Sequence, residues 1–127
     1  MQDEKLIFRL PNETEWEWAA GGGNREYPWG KEQPDETRAN FDKKVGQTTP
    51  VGAYPAGATP EGLMDIAGNV WERCENLIKE DGNWRALRGG SWVDTTELLR
   101  CSARIYDYPD VQWDFLGFRV VRGQSIF

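Results

Sequence analysis

Apolar residues gather early in Leu6-Ile-Phe8 with Leu10, and Pro11 stops the run, which predicts a short strand over Lys5 to Leu10. Asn12 follows as an N-cap with Glu15 placed to reach back to it, so a capped helix is predicted over Glu13 to Ala20. Its spacing buries Trp16 together with Ala19 or Ala20, and Gly21-Gly22-Gly23 ends it. From Asn24 to Thr59 no period appears. So long a stretch stays in a compact domain only if its large side chains dock it. Tyr27, Trp29, Phe41, Val51 and Tyr54 are the expected anchors.

The pattern then changes. From Gly62 to Glu72, apolar Leu63, Met64, Ile66, Val70 and Trp71 interleave with Asp65, Asn69 and Glu72, a mixture that a solvent loop does not need. It reads as a buried turn whose polar side chains serve backbone groups or a cation, and Arg88-Gly-Gly-Ser-Trp92 answers it further on. Strand patterns follow at Trp71 to Glu75, Trp84 to Arg88, Leu99 to Ile105 and Leu116 to Arg122. The last places Phe118 and Val120 inward and Arg119 and Val121 outward. The expected class is α+β: a small, mostly antiparallel sheet, one or two short helices and much irregular loop.

A chain of 127 residues suits one domain with one core. Its net charge of −6 without a basic cluster argues against nucleic acid, whose phosphates demand Lys and Arg. Nothing is apolar for long enough to span a bilayer, and Met1-Gln-Asp-Glu-Lys5 is no secretion signal, so a soluble chain without membrane insertion is expected. There is no histidine, which excludes imidazole metal sites, Ser-His-Asp triads and Cys-His dyads. Cys74 and Cys101 allow at most one disulfide and leave open whether it forms. Fourteen glycines, seven prolines and seven tryptophans point to irregular elements pinned by aromatic rings.

Seven motifs in order carry a resemblance: Arg9-Leu-Pro-Asn-Glu-Thr-Glu-Trp-Glu-Trp-Ala-Ala20, Tyr27-Pro-Trp-Gly30, Ala39-Asn40, Thr49-Pro-Val-Gly52, Gly62 to Glu72, Arg88 to Trp92, and Gly117-Phe-Arg119. Together they resemble the formylglycine-generating-enzyme (sulfatase-modifying factor) family, from Arg9 to Val121. The front half that precedes the Arg-Leu-Pro motif in that family is absent, which implies a minimal version. The resemblance implies a variant of the C-type lectin fold. Function has to be argued at the site rather than from that fold.

The enzymes resembled carry two cysteines after the Gly-Gly-Ser-aromatic motif, where soft sulfur holds copper and activates oxygen. Those positions fall near Asp94 and Leu99, and neither is a thiol. Cys101 matches a structural cysteine whose partner position is Ala20. Relatives that work on non-haem iron need histidine ligands, which are lacking. Paired carboxylates, Asp107 with Asp110 or Asp114, offer no visible reason for a raised pKa. The expectation is therefore no catalysis.

The segment Ile105 to Leu116 crowds aromatic rings and aspartates into one loop, as binding surfaces do, although Trp113 and Leu116 also suit a core plug. With the run after Trp92 it resembles the variable region of retroelement-diversified proteins, in which Asn codons altered at adenines yield a restricted set of residues. Val93, Asp94, Thr95, Thr96, Leu98, Ile105, Tyr106, Asp107, Tyr108, Val111, Asp114 and Phe115 are the expected display positions. Gln112 and Trp113, with Arg88 to Trp92, Arg104 and Gly117 to Arg119, are expected scaffold. The reading is a non-catalytic protein that binds a macromolecule, protein rather than sugar. The alternatives are an oxidase on the same fold or a generic non-catalytic relative. Surface or virion display follows if the gene is diversified.

No cofactor is required on this reading. The resemblance does imply a structural calcium at the buried turn, held by Asp65, Gly68, Val70 and Glu72, whose oxygens suit a hard cation. A second family cation site starts at Ala39-Asn40-Phe41, but the loop that would complete it is shortened. Without a cation, Asp65 and Glu72 are expected to bond the buried backbone, with Arg88 as a possible partner.

Overall fold

The structure, a computed structural model, describes residues 6–21, 23–77, 85–107 and 113–124. Strand β1 is Leu6–Arg9 and helix α1 is Glu13–Ala20. The helix start is set locally. Asn12 Oδ1 accepts from the Glu15 amide at 2.8 Å, and Glu15 Oε1 accepts from the Asn12 amide at 2.9 Å, which closes the capping box. Arg9 also grips both oxygens of Glu15 at 2.7 Å, and that hydrogen bonding, with the Asn12 amide, holds the Glu15 carboxyl down at about 2. Trp16 and Ala20 are the buried residues of α1.

The remaining strands are β2 Trp71–Leu77, β3 Arg85–Arg88, β4 Arg104–Asp107, β5 Leu116–Gly117 and β6 Val121–Gln124. Four form a sheet in the order β4-β3-β2-β5, antiparallel except for the parallel β2–β5 pair. β1 and β6 form a separate antiparallel ribbon that brings the two ends of the described chain together.

Helix α1 packs on β2 and β3, so that Trp16, Ala20, Ile66, Cys74, Ala86 and Cys101 make one core. A second core holds Tyr27, Ala39, Phe41, Ala67 and Leu99, with Trp29 stacked on Tyr27 at 5.4 Å. That second core is how the long irregular stretch is docked. Tyr27, Trp29 and Phe41 serve as anchors as the pattern predicts, and Tyr54 is half-buried. Val51 does not, being 88% exposed.

Two predicted strands differ in the structure. Leu99 to Ile105 is not one strand: Thr96–Leu99 is a 3-10 turn that drops Leu99 into the second core, and β4 begins at Arg104. Leu116 to Arg122 splits into β5 and β6, which pair with different partners, and its facing is reversed. Phe118 is 68% and Val120 49% exposed, while Arg119 turns inward to Glu72. A buried carboxylate demands a donor, and that demand overrides the alternation of apolar residues. Trp84 lies outside the described residues. Cys74 and Cys101 are both buried free thiols.

Candidate ligand-binding surface

The buried turn is built from residues held in the left-handed region: Asp65, Gly68 and Asn69 have φ of 58°, 79° and 69°. At Gly68 only glycine fits, because a Cβ would stand 2.5 Å from the Asn40 carbonyl oxygen. The turn then ties its neighbours. The Gly68 amide donates to the Gly89 carbonyl at 2.7 Å, and the Trp92 amide donates to the Asn69 carbonyl at 2.9 Å. Asn69 Oδ1 accepts from the Thr49 amide at 2.9 Å, and Asn40 Nδ2 donates to the Gln47 carbonyl at 2.8 Å. The side chains of the turn thus order the loop that the sequence pattern leaves shapeless.

Glu72 is 3% exposed and fully engaged by protein donors. Arg119 Nε donates to Oε1 at 2.6 Å, Arg119 Nη2 to Oε2 at 2.9 Å, and Trp16 Nε1 to Oε1 at 2.9 Å. Burial nonetheless pushes its carboxyl above the usual range, with the nearby Asp65 charge adding to the rise against the pull of Arg119. The ion partner of Glu72 is Arg119 rather than Arg88. Arg88 is buried beneath α1, where it donates to Glu13 at 3.1 Å, Glu17 at 2.9 Å and the carbonyls of Ala103 and Cys101.

From this frame the chain emerges at Ser91. The Ser91 amide and hydroxyl both donate to Asp94 Oδ2, at 2.9 and 2.6 Å, so the Asp94 side chain closes the turn instead of facing a ligand. The next ties are mostly main chain. The Asp42 amide donates to the Asp94 carbonyl at 2.8 Å, and the Lys43 amide donates to the Trp92 carbonyl at 2.7 Å. Across the gap, Trp92 Nε1 donates to the Asp114 carbonyl at 3.2 Å, and the Trp71 amide donates to the Phe115 carbonyl at 2.7 Å.

These ties bring the run that follows Trp92, with Val93, Thr95 and Thr96, toward the segment of Asp114 and Phe115. Thr95 and Asp114 are exposed, and Val93, Thr96, Leu98 and Phe115 are half-buried. Trp113, expected in the scaffold, is 41% exposed and leans on Phe115 with ring centroids 4.8 Å apart.

The other display positions are not part of this cluster. Ile105, Tyr106 and Asp107 lie on β4, at the sheet edge opposite β5, with β3 and β2 between. Tyr106 is 43% exposed there, and its hydroxyl accepts from Arg104 at 3.3 Å. Tyr108 and Val111, with Asp110 and Gln112, lie outside the described residues. In their place the structure adds Asp42 and Lys43, exposed beside Trp92 and Asp94 and both left-handed, with φ of 54° and 55°. Sequence reasoning missed them. Only Asp42 carried a signal, since aspartate tolerates that backbone better than lysine does.

The chain's two thiols stand apart from this surface. Both sit in the core under α1, where burial pushes Cys74 up to about 12 and Cys101 up to about 11. Leu99, at one of the expected copper-cysteine positions, is 1% exposed.

With the geometry in place, the match to known proteins is direct: residues 2–124 fit the sulfatase-modifying factor enzyme 1-like domain. The chain belongs to that family. The domain is 38% identical to the hercynine oxygenase of Mycobacterium tuberculosis, over 88% of this chain and 32% of that protein. It is 39% identical to the inactive C-alpha-formylglycine-generating enzyme 2 of Bos taurus, over 91% of this chain and 44% of that one. Among solved structures it superposes on Treponema denticola variable protein 1 with a TM-score of 0.73 and 33% identity, covering 89% of this chain and 46% of the other. The domain therefore spans less than half the length of these relatives. Its fold is the α+β, C-type lectin-like arrangement of the sulfatase-modifying factor domain.

Proposed function

We propose that this domain is a non-catalytic binding module that presents Val93, Thr95, Thr96, Asp114 and Phe115, joined by Trp113, Asp42 and Lys43, to a protein partner. The observation that carries this reading is the division of labour at the surface. The loops are fastened mainly by backbone amides and carbonyls and by the buried Asn69 and Ser91, so the outward side chains are free to differ. The likeness to a protein named variable protein 1 supports it. On this reading the gene is diversified by a retroelement, and Ile105, Tyr106 and Asp107 form a separate edge.

The rival reading is an oxidase, favoured by the likeness to a hercynine oxygenase. Against it stand a chain without histidine and two thiols sealed in the core. Oxygen consumption with a Cys-containing peptide and copper, and separately with iron and a thiol, is expected to stay at the buffer rate. Turnover would overturn the binding reading. A library at positions 93, 95, 96, 114 and 115 is expected to keep the native thermal midpoint in most members. Widespread unfolding would show that these side chains are structural.

Calcium at the buried turn is a second proposal. The Asp65 charge lies near enough to raise the Glu72 carboxyl, and Asp65 Oδ2 already accepts from the Gly52 amide at 2.7 Å. Arg119 and Trp16 already donate to Glu72. The ion would have to share these carboxylates with their donors and draw on the Gly68 and Val70 carbonyls, and it would stiffen the turn. Saturating calcium at about 100 times its dissociation constant adds about 2.7 kcal/mol to stability. A midpoint unchanged between calcium and chelator rejects the site.

A further inference from the structure

The end of α1 and the turn over residues 59–63 border a cavity of about 300 Å³. That is the lower end of the ~300–1,000 Å³ usual for small-molecule sites. Trp18, Ala19 and Leu63 give it apolar walls, and Asn24, Arg25 and Glu61 give it polar ones. Both borders are firmly built. The Thr59 amide donates to the Leu63 carbonyl at 2.9 Å, the Thr59 hydroxyl accepts from the Leu63 amide at 3.1 Å, and the Gly62 amide donates to the Thr59 carbonyl at 2.9 Å. Thr59 is itself 3% exposed, so the turn that carries Glu61 and Leu63 is anchored in the interior. On the other border Arg25 lies across the bare backbone of Gly21, where a Cβ would stand 3.0 Å from Arg25 Cβ and 3.5 Å from its Nε.

The two charges of the cavity are held differently. Arg25 Nη1 donates to the Pro28 carbonyl at 3.4 Å, and Nη2 donates to Glu61 Oε1 at 3.1 Å. The Arg25 side chain is 20% exposed and the Glu61 side chain 64%. The better-held charge is therefore positive, and the carboxylate resting on it reaches in from solvent. The Arg25 hydrogen bond keeps the Glu61 carboxyl below its usual range, so at neutral pH Glu61 is an ionised occupant of the guanidinium. An exposed pair of this kind is weak, and a second carboxylate can replace Glu61 at little cost. Guanidinium suits that exchange, because its planar fork takes a carboxylate through two parallel bonds. Charge alone is not enough, since a chain of net charge −6 repels simple anions at a distance. The apolar walls have to contribute, and the Trp18 indole offers the largest flat surface among them.

We propose that this cavity binds a small organic acid, with its carboxylate on Arg25 in place of Glu61 and a flat apolar group against Trp18 and Leu63. The cavity shares no residue with the surface that meets a protein partner, so either reading can fail without the other.

A nitrogen-15 NMR titration of the full chain with hydrocinnamate at pH 7 tests it, with acetate and hydrocinnamyl alcohol as controls. Saturable shifts of the Trp18 indole N–H and the Arg25 Nε–H are expected, with a Kd on the order of 1 mM, the range open to so small a ligand. Each control lacks one half of the recognition and is expected to bind at least about tenfold more weakly. Arg25→Gln should weaken hydrocinnamate by about tenfold or more, and Trp18→Ala by roughly fivefold. Glu61→Gln removes the internal competitor and should tighten binding about two- to fivefold, which a merely structural ion pair would not do. Trp18 is 77% exposed and the Glu61 side chain 64%, so these two variants keep the native thermal midpoint whatever Arg25→Gln does to it. Shifts that stay linear to tens of millimolar overturn the proposal. So does acetate binding as tightly as hydrocinnamate, or a Glu61→Gln variant that binds more weakly than the native chain.

Discussion

Replacing Arg119 with methionine tests whether the frame depends on one buried ion pair. The substitution keeps the length of the aliphatic stem and removes two hydrogen bonds to Glu72 and one to the Met64 carbonyl. Among the described residues, Trp16 Nε1 is then the one side-chain donor left to a carboxylate that is 3% exposed. Stranding a buried charge in this way costs about 3–5 kcal/mol. The pH dependence has a definite sign. Burial holds the Glu72 carboxyl above its ordinary 4.5, and losing Arg119 raises it further. A raised carboxyl destabilises the fold when it ionises, so the deficit of the variant is smallest below that ordinary value and grows as pH rises through the folded one. Urea unfolding in EDTA at pH 5 and pH 7.5 reads both quantities. Adding Glu72→Gln to Arg119→Met removes the charge and is expected to recover about 2 kcal/mol or more at pH 7.5. A loss of less than about 1 kcal/mol, or an equal loss at both pH values, refutes the claim that Glu72 is an ionised group kept in place by Arg119.

Three further outcomes follow from the geometry. Asn12→Ala opens the capping box and is expected to cost about 1 kcal/mol, seen as a thermal midpoint lower by a few degrees. Gly90→Ala forces a Cβ to 2.7 Å from Leu99 Cδ2 and 2.8 Å from the Leu98 carbonyl oxygen at φ 72°. Strain and crowding together should cost about 2–4 kcal/mol in urea unfolding. With thiols raised to about 12 and about 11, Cys74 and Cys101 are expected to ignore Ellman's reagent at pH 8 in the folded protein and to react fully in urea.

What was legible in the sequence was what neighbours along the chain decide. The strand before Pro11, the Asn12–Glu15 cap and the burial of Trp16 and Ala20 are local, and they stand as the residues predict. Aromatic docking of the long loop was legible for Tyr27 and Phe41, because large rings rarely stay in water. Val51 misled because a β-branched residue between two turns shows nothing about which way it faces. Arg119 was illegible for a different reason. Its inward turn is set by Glu72, 47 positions away, and no periodicity encodes a pairing that distant. The candidate surface was half legible. The residues after Trp92 and around Phe115 meet, but whether β4 joins them depends on strand order, and the Asp42–Lys43 backbone depends on carbonyls across the fold.

The main-chain ties at the surface decide which mutations this region can absorb. Asp42, Lys43, Trp92 and Trp71 each contribute an N–H, so most exchanges of side chain leave the posts standing while altering what they hold up. Proline is the exception, since it alone removes the donor. A collection of natural or selected versions of this domain should accordingly be rich in substitutions at 93, 95, 114 and 115, and empty of proline at 42, 43, 71 and 92.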